Sequence, residues 1–90
     1  MEKRQFTVYG RVQGVGFRFY TAQQAHKLLL QGAVKNLSDG AVLVIAQGLA
    51  EQIESLRNWL QQGPPTARVE RVIEQPYTGE REFQDFRIER

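Results

Sequence analysis

The stretch QFTVYGRVQGVGFR, residues 5–18, decides the fold because it runs from an alternating segment through a glycine-rich turn to the start of a helical pattern. Apolar and polar residues alternate from Gln5 to Val12, which predicts a β-strand with one buried face. The turn Gln13–Arg18 contains two glycines, and the helical pattern begins at Phe19. We therefore expect a strand that leads through a glycine turn directly into a helix.

The residues after this turn predict six further elements. They are a helix at 19–30, strands at 33–37 and 41–47, a helix at 49–62, and strands at 67–74 and 83–88. Gly32 is expected to stop the first helix, and Asp39-Gly40 predicts a hairpin. Two strand–helix–strand units joined by a hairpin predict an α+β, ferredoxin-like βαββαβ sandwich. Its antiparallel sheet has both helices on one face and a short extra C-terminal strand.

The same periodicities indicate which side chains face the core. The expected stripes are Ala22, Ala25 and Leu29 in the first helix and Leu49, Ile53, Leu56 and Leu60 in the second. If Val42, Val44 and Ala46 face the helices, Leu43 and Ile45 lie on the open sheet face. There they could form an apolar patch that mediates association, although scattered exposed apolar residues are the simpler interpretation. We expect a monomer.

Composition narrows the function classes. A chain of 90 residues with 41% hydrophobic and 24% charged residues is typical of one folded domain, residues 1–90. A net charge of +2 is too small to indicate a nucleic-acid partner. The absence of cysteine excludes disulfides, thiolate metal sites and a cysteine nucleophile, and it fits a reducing cytosol. No signal peptide or membrane-spanning run is evident, so we expect a cytoplasmic protein without a membrane partner.

The turn Gln13–Arg18 has the composition of an anion site. Glycines allow successive backbone N–H groups to converge, and the first turn of a helix adds unpaired N–H groups and the positive end of its dipole. Glycines alone are equally consistent with a tight turn. Arg18 favours the anion site, because a cation at a helix N-terminus is unfavourable unless an anion lies beside it. The spacing matches neither the P-loop nor the dinucleotide fingerprint.

Asn36 is the second candidate residue. Asparagine is a poor strand former, yet Asn36 lies between Lys35 and Leu37 in a predicted strand. On the residues alone, the simpler interpretation is that it begins the turn before Asp39. The functional interpretation is a side-chain amide at the end of the sheet that orients a water molecule.

At this point two motifs resemble those of the acylphosphatase family: GRVQGVGFR at residues 10–18 and GAVKNLSDGAV at residues 32–42. The resemblance extends over nearly the whole chain. It implies hydrolysis of acyl phosphates to a carboxylate and inorganic phosphate, without metal or other cofactor. It also implies that Arg18 and the backbone N–H groups bind the phosphoryl group, and that Asn36 holds the attacking water. The backbone donors are those of Gln13, Gly14, Val15, Gly16, Phe17 and Arg18.

The resemblance further implies that an acyl phosphate is the small-molecule substrate, with inorganic phosphate as product and inhibitor. The sequence departs from the family pattern at three positions. Leu29 stands where glycine is frequent, Ala33 where an aromatic residue is common, and Leu43 where glutamate is frequent. The first two departures concern local packing.

Two other functions remain open at this stage. A domain of this kind could bind a phosphorylated ligand without cleaving it. An RNA-binding module of the same overall plan would stack bases on aromatic residues of its central strands, but the strand Ala41–Gln47 has none. The single histidine, His26, is expected to be a surface residue without a catalytic role. No pocket for the acyl group is evident from the sequence.

Overall fold

Five strands and two helices make up the computed structural model, which describes residues 1–90. The strands are β1 (Glu2–Arg11), β2 (Gln31–Asn36), β3 (Val42–Gly48), β4 (Arg68–Pro76) and β5 (Phe86–Glu89), and the helices are α1 (Phe17–Lys27) and α2 (Ala50–Gln62). The sheet order is β4-β1-β3-β2-β5. The first four strands pair antiparallel, whereas β5 runs parallel to β2 at the edge. The predicted ferredoxin-like plan is confirmed, and the extra strand is identified as a parallel edge strand.

Strand β1 is an interior strand of the sheet because it pairs with both β3 and β4. The alternation of apolar and polar residues in β1 gives the predicted buried face. Phe6 and Val8 are fully buried under the helices, while Thr7 and Tyr9 are partly exposed on the other face. Opposite β1, the helix-facing residues of β3 are also buried. They are Val42, Val44 and Ala46. The predicted hairpin joins β2 to β3.

Helix α2 covers the same face of the sheet as α1. Ile53, Leu56 and Leu60 are fully buried, as predicted. Leu49, expected on the same buried stripe, is instead half exposed and precedes the helix as its N-cap. Its backbone N–H donates a 2.9 Å hydrogen bond to Oε1 of Gln52, which satisfies a group that a helix start leaves free. Neither helix is both long and apolar enough to span a membrane.

Helix α1 ends three residues earlier than predicted, at Lys27, because Leu29 turns the chain left-handed with a φ of 60°. The N–H of Leu30 donates to the carbonyl of Ala25, and the N–H of Leu29 donates to the carbonyl of His26. This pair of bonds is a Schellman termination, which usually has glycine at the left-handed position. Leu29 is 78% exposed, so its predicted place on the buried stripe is wrong, whereas Ala25 is buried as expected.

Two further predictions about local structure are wrong. Gly32 does not stop α1 but lies inside β2, where its N–H donates to the carbonyl of Asp85. The last strand does not begin at Phe83. Instead, the Phe83 side chain lies against Ala33 and Ile45 on the sheet face opposite the helices and is only 7% exposed. The small side chain of Ala33 leaves room for this ring.

The open sheet face is therefore partly covered by the chain itself. Ile45 is only 7% exposed beneath Phe83, and Leu43 and Tyr77 pack against the same small cluster. The expected exposed patch of Leu43 and Ile45 does not form, because the segment between β4 and β5 folds over it. This face gives no support to association through those two residues.

An ion-pair network joins α2 to the sheet. The carboxylate of Glu74 in β4 accepts hydrogen bonds from Nε and Nη2 of Arg57 at 2.5 and 2.8 Å and from Nε of Arg4 at 2.8 Å. The hydrogen bonds from Arg57, and then those from Arg4, hold the pKa of Glu74 below its usual value of 4.5. The same carboxylate raises the pKa of Arg57. Glu74 is therefore more acidic in the folded than in the unfolded chain.

Replacing Leu29 with glycine should stabilise the protein. A left-handed conformation destabilises a non-glycine residue by about 1–2 kcal/mol, and the substitution removes this strain. Glycine is more flexible in the unfolded chain, which offsets about 0.5–1 kcal/mol of the gain. We expect Leu29→Gly to raise the free energy of unfolding by about 0.5–1 kcal/mol in urea titrations. Leu29→Ala removes the same exposed side chain but keeps the strain, so it should leave stability nearly unchanged. Equal stability of the two variants would contradict the assignment of strain to Leu29.

Glu74 should make folding stability depend on pH in acid. A carboxyl whose pKa is lowered on folding contributes stability that is complete above its unfolded pKa and is lost as the pH falls through the folded value. We therefore expect the free energy of unfolding of the wild type to drop below about pH 4.5, and to drop less in Glu74→Gln. Urea titrations at several pH values measure this difference. Glu70→Gln, an exposed change in the same strand, should keep the wild-type slope.

Candidate active site

The loop between β1 and α1 leaves a run of backbone N–H groups without acceptors. Gly14 and Gly16 have φ values of 75° and 78°, a left-handed backbone that side chains disfavour. The N–H groups of residues 14–18 donate no hydrogen bond within the protein. Turns of this kind gather N–H groups into concavities that bind anions, and the N-terminus of α1 adds its positive dipole end.

Side chains hold this loop against neighbouring elements. Nε2 of Gln13 donates to the carbonyl oxygens of Leu37 and Ala41, both at 2.8 Å, and so joins the loop to the β2–β3 hairpin. Oγ1 of Thr66 donates to the carbonyl of Val15 at 2.7 Å. The sequence pattern placed Gln13 among the backbone donors and missed this anchoring role. The partners are distant in sequence, so no local signal points to it.

A cleft of about 230 Å³ opens at this end of the sheet. Its lining combines polar groups with apolar side chains. They are Val12, Gly14, Gly16, Phe17, Arg18, Phe19, Asn36 and Ile88. Arg18 and Asn36, the catalytic pair that the family resemblance implies, thus line one cleft together with Gly14, Gly16 and Phe17. Gln13 and Val15 belong to the same loop but do not line the cleft.

Arg18 is held at one nitrogen and has no acidic partner. Nη1 donates to the backbone carbonyl of Glu89 at 2.8 Å, and Arg18 takes part in none of the ion pairs of the chain. A guanidinium has five N–H donors, so most remain for a ligand. Its charge and the dipole of α1 are both positive at the same point. An anion in the cleft would stabilise both.

The acceptor of Arg18 is itself fixed from the other face of the sheet. The carboxylate of Glu89 receives Nη1 and Nη2 of Arg81 at 3.1 and 2.6 Å, a bidentate pair. Hydrogen bonding from Arg81 lowers the pKa of Glu89, and Glu89 raises the pKa of Arg81. The last strand is therefore anchored by its side chain while its backbone orients Arg18.

Asn36 is the last residue of β2 and pairs with Val42 through the backbone. Oδ1 of its side chain is buried and has no hydrogen-bond partner in the protein. Leaving a buried acceptor without a partner costs about 1–3 kcal/mol. The turn itself is closed by Leu37, whose N–H donates to the carbonyl of Ala41. Asn36 thus precedes the turn and does not close it. It lines the cleft, and its Oδ1 has no partner within the protein.

The cleft contains no side chain that commonly acts as a base. His26 is exposed elsewhere on α1, with Nε2 3.0 Å from the carbonyl oxygen of Phe86. Asp39 accepts the N–H of Ala41 within the hairpin turn. No group of three or more histidine, cysteine, aspartate or glutamate side chains is placed to hold a metal ion. The arrangement can bind an anion and orient a neutral molecule beside it.

The larger cavity of the molecule, about 300 Å³, lies at the β5 edge and is mostly lined by charged residues. Its arginines are already paired: Arg81 with Glu89 and Arg87 with Asp85. Pairing within the cavity leaves little positive charge for a ligand. The smaller cleft, where Arg18 is unpaired, is therefore the better candidate for anion chemistry.

Comparison with known proteins is consistent with this geometry. A family model described as Acylphosphatase matches residues 4–88. A relative named acylphosphatase from Actinobacillus succinogenes is 61% identical, and the alignment covers all of both chains. The crystal structure of acylphosphatase from Bacillus subtilis is 32% identical, has a TM-score of 0.93 and is covered completely, as is this chain. An acylphosphatase structure from Coxiella burnetii is 41% identical with a TM-score of 0.90, over 98% of this chain and 92% of that one.

Proposed function

The chain belongs to the acylphosphatase family, whose reaction is hydrolysis of acyl phosphates, and from this premise we propose how its own residues carry out the reaction. The phosphoryl group binds in the cleft through the N–H groups of the loop Gln13–Arg18 and the guanidinium of Arg18. The side-chain amide of Asn36, which lines the same cleft, holds the attacking water. The products are a carboxylate and inorganic phosphate.

The binding step follows from charge and hydrogen bonding. A phosphoryl group presents oxygen acceptors with negative charge, and the loop from Gly14 to Arg18 presents donors without protein partners. The carbonyl of Glu89 holds Arg18 beside them. Donors that are already in place stabilise charge on the phosphoryl oxygens in the transition state without reorganisation. Inorganic phosphate has the same oxygens, so it should compete with the substrate.

The chemical step needs few other groups. The oxygen of water attacks phosphorus, the bond between phosphorus and the acyl oxygen breaks, and its electron pair leaves with the carboxylate. A carboxylate is a good leaving group, so no strong general acid is required. The proton of the water passes to an oxygen of the phosphoryl group, because the cleft has no other base. Positioning and charge stabilisation dominate such transfers.

One observation carries the proposal more than any other. Asn36 and the unpaired Arg18 line the same cleft, and the side-chain amide of Asn36 keeps an acceptor, Oδ1, that no group of the protein uses. An acceptor beside an anion site is suited to a molecule that donates hydrogen bonds, and water is such a molecule. We also propose that the reaction needs no metal, because Arg18 and the helix N-terminus supply the positive charge. A cytoplasmic location, a monomeric state and a single domain stay predictions.

Arg18→Gln should abolish most turnover and weaken inhibition by phosphate. The change removes the charge that faces the phosphoryl group, and we expect turnover to fall by about a thousandfold or more, the scale for arginines that neutralise phosphoryl charge. Phosphate release from benzoyl phosphate measures turnover. Arg11→Gln is the matched control, since Arg11 is exposed in the adjoining strand and does not line the cleft. Equal loss in both variants would contradict a specific role for Arg18.

Asn36→Ala should reduce turnover while leaving phosphate inhibition nearly unchanged. The change removes the water acceptor but none of the proposed phosphate donors, and loss of one positioned polar group typically costs about a hundredfold to a thousandfold. The kcat for benzoyl phosphate and the inhibition constant of phosphate measure the two effects. Asn58→Ala, on the exposed face of α2, is the control. A parallel loss of both quantities in folded Asn36→Ala would refute the role in holding water.

A binding domain without turnover is the alternative that the sequence left open. Phosphate release from acetyl phosphate and benzoyl phosphate, with a phosphate monoester as control substrate, distinguishes the two functions. We expect both acyl phosphates to be hydrolysed and the monoester to be resistant, because its alkoxide is a poorer leaving group. Phosphate binding without turnover above background would favour the binding domain.

A further inference from the structure

We propose that Phe19 and Ile88 form an acyl-binding wall of the cleft and make the enzyme prefer acyl phosphates with an apolar acyl group over acetyl phosphate. This inference rests on the proposed function, because it assigns the part of the substrate that the phosphate-binding groups do not contact. The sequence alone showed no pocket for that part.

The cleft has two chemically different halves. Gly14, Gly16, Arg18 and Asn36 supply its backbone and polar groups, and the other four lining residues are apolar. Of those four, Val12 and Phe17 are 1% exposed and belong to the core, so they form its floor. Phe19 and Ile88 are 57% and 47% exposed. They line the cleft without being buried by the fold.

Neither exposed side chain belongs to the apolar core. Phe19 and Ile88 are absent from the two apolar clusters and from the residues packed against them. They are two of the seven large apolar side chains that are exposed, yet both face one small cleft. Isolated apolar residues on a surface need no explanation, but two from different elements at one ligand site do. Apolar surface lining a cleft with a few polar groups is the usual composition of a ligand site.

Phe19 has an aromatic neighbour, and Ile88 adjoins the residue that holds Arg18. The rings of Phe19 and Tyr20 form a T-shaped pair with 5.4 Å between their centroids, a favourable arrangement for aromatic side chains. Ile88 precedes Glu89, whose carbonyl binds Arg18. The apolar wall and the phosphate-binding arginine are thus connected through one short strand. A substrate whose phosphoryl group is bound by Arg18 has its acyl group within the same cleft.

The volume of the cleft limits what the wall can recognise. At about 230 Å³ it is smaller than sites that enclose drug-sized ligands, which span about 300–1,000 Å³. The phosphoryl group and the inner part of the acyl group fill this space. We therefore expect discrimination by the first apolar atoms of the acyl group, with the rest in solvent.

The test compares kcat/KM for benzoyl phosphate and acetyl phosphate in the wild type, Phe19→Ala and Ile88→Ala. We expect the ratio of kcat/KM for benzoyl phosphate to that for acetyl phosphate to fall about tenfold in each variant. This is the low end of the range for a hydrophobic contact, because both side chains are half exposed. Leu29→Ala is the matched control, since Leu29 is exposed just beyond the C-terminal end of α1 and lies outside the cleft. Its ratio should equal that of the wild type.

Two further measurements separate the possible outcomes. The inhibition constant of inorganic phosphate, which has no acyl group, should be the same in Phe19→Ala and the wild type; a parallel rise would show that Phe19 acts through the phosphate site and would overturn the inference. An unchanged ratio in both variants, with normal wild-type turnover, would overturn this inference alone. No turnover of either substrate by the wild type would overturn the proposed function as well. Phe19→Ala lies in an exposed first turn, so it keeps the test available if Ile88→Ala does not fold.

Discussion

The amide of Gln13 makes the two hydrogen bonds on which the candidate site depends. It joins the loop before α1 to the carbonyl groups of Leu37 and Ala41. This link ties the loop that carries the N–H donors to the turn that follows Asn36. With it, the end of β1 and the end of β2 form one surface. The sheet supplies the positions, since β3 pairs with both β1 and β2, and Gln13 adds a direct link between the loop and the hairpin.

The site is built so that its polar groups remain incompletely satisfied. The loop from Gly14 to Arg18 has free donors, Arg18 lacks an acidic partner, and Asn36 has a buried free acceptor. In a core these features would cost stability. At the mouth of a cleft they are complementary to an anion and a water molecule. The apolar core beneath, in which β1, β3 and both helices take part, supplies the stability that allows this arrangement.

Periodicity predicted the order of the elements and most of the buried residues. Apolar residues recur at every second position in β1 and along one face of α2, and these are the positions that the fold buries. The sequence also predicted Arg18, Asn36 and the glycine loop as one site, through family resemblance and not through spacing alone. It failed at one helix end without a local stop signal and at one segment whose structure a tertiary contact decides. Leu29 ends a helix without the usual glycine, and Phe83 covers Ala33 instead of starting a strand. Likewise, no local pattern reveals that Gln13 anchors the loop or that β5 runs parallel to β2.

The contact between Arg18 and Glu89 joins a residue near the start of the chain to one near its end. During synthesis, the loop, both helices and four strands leave the ribosome before β5 does. A nascent chain at that stage already has the loop donors, but Arg18 has no backbone acceptor and the cleft lacks Ile88. The final strand therefore completes the cleft as well as the sheet. Local unfolding of β5 alone would therefore remove Ile88 from the cleft and the backbone acceptor from Arg18, while the loop donors would stay in place.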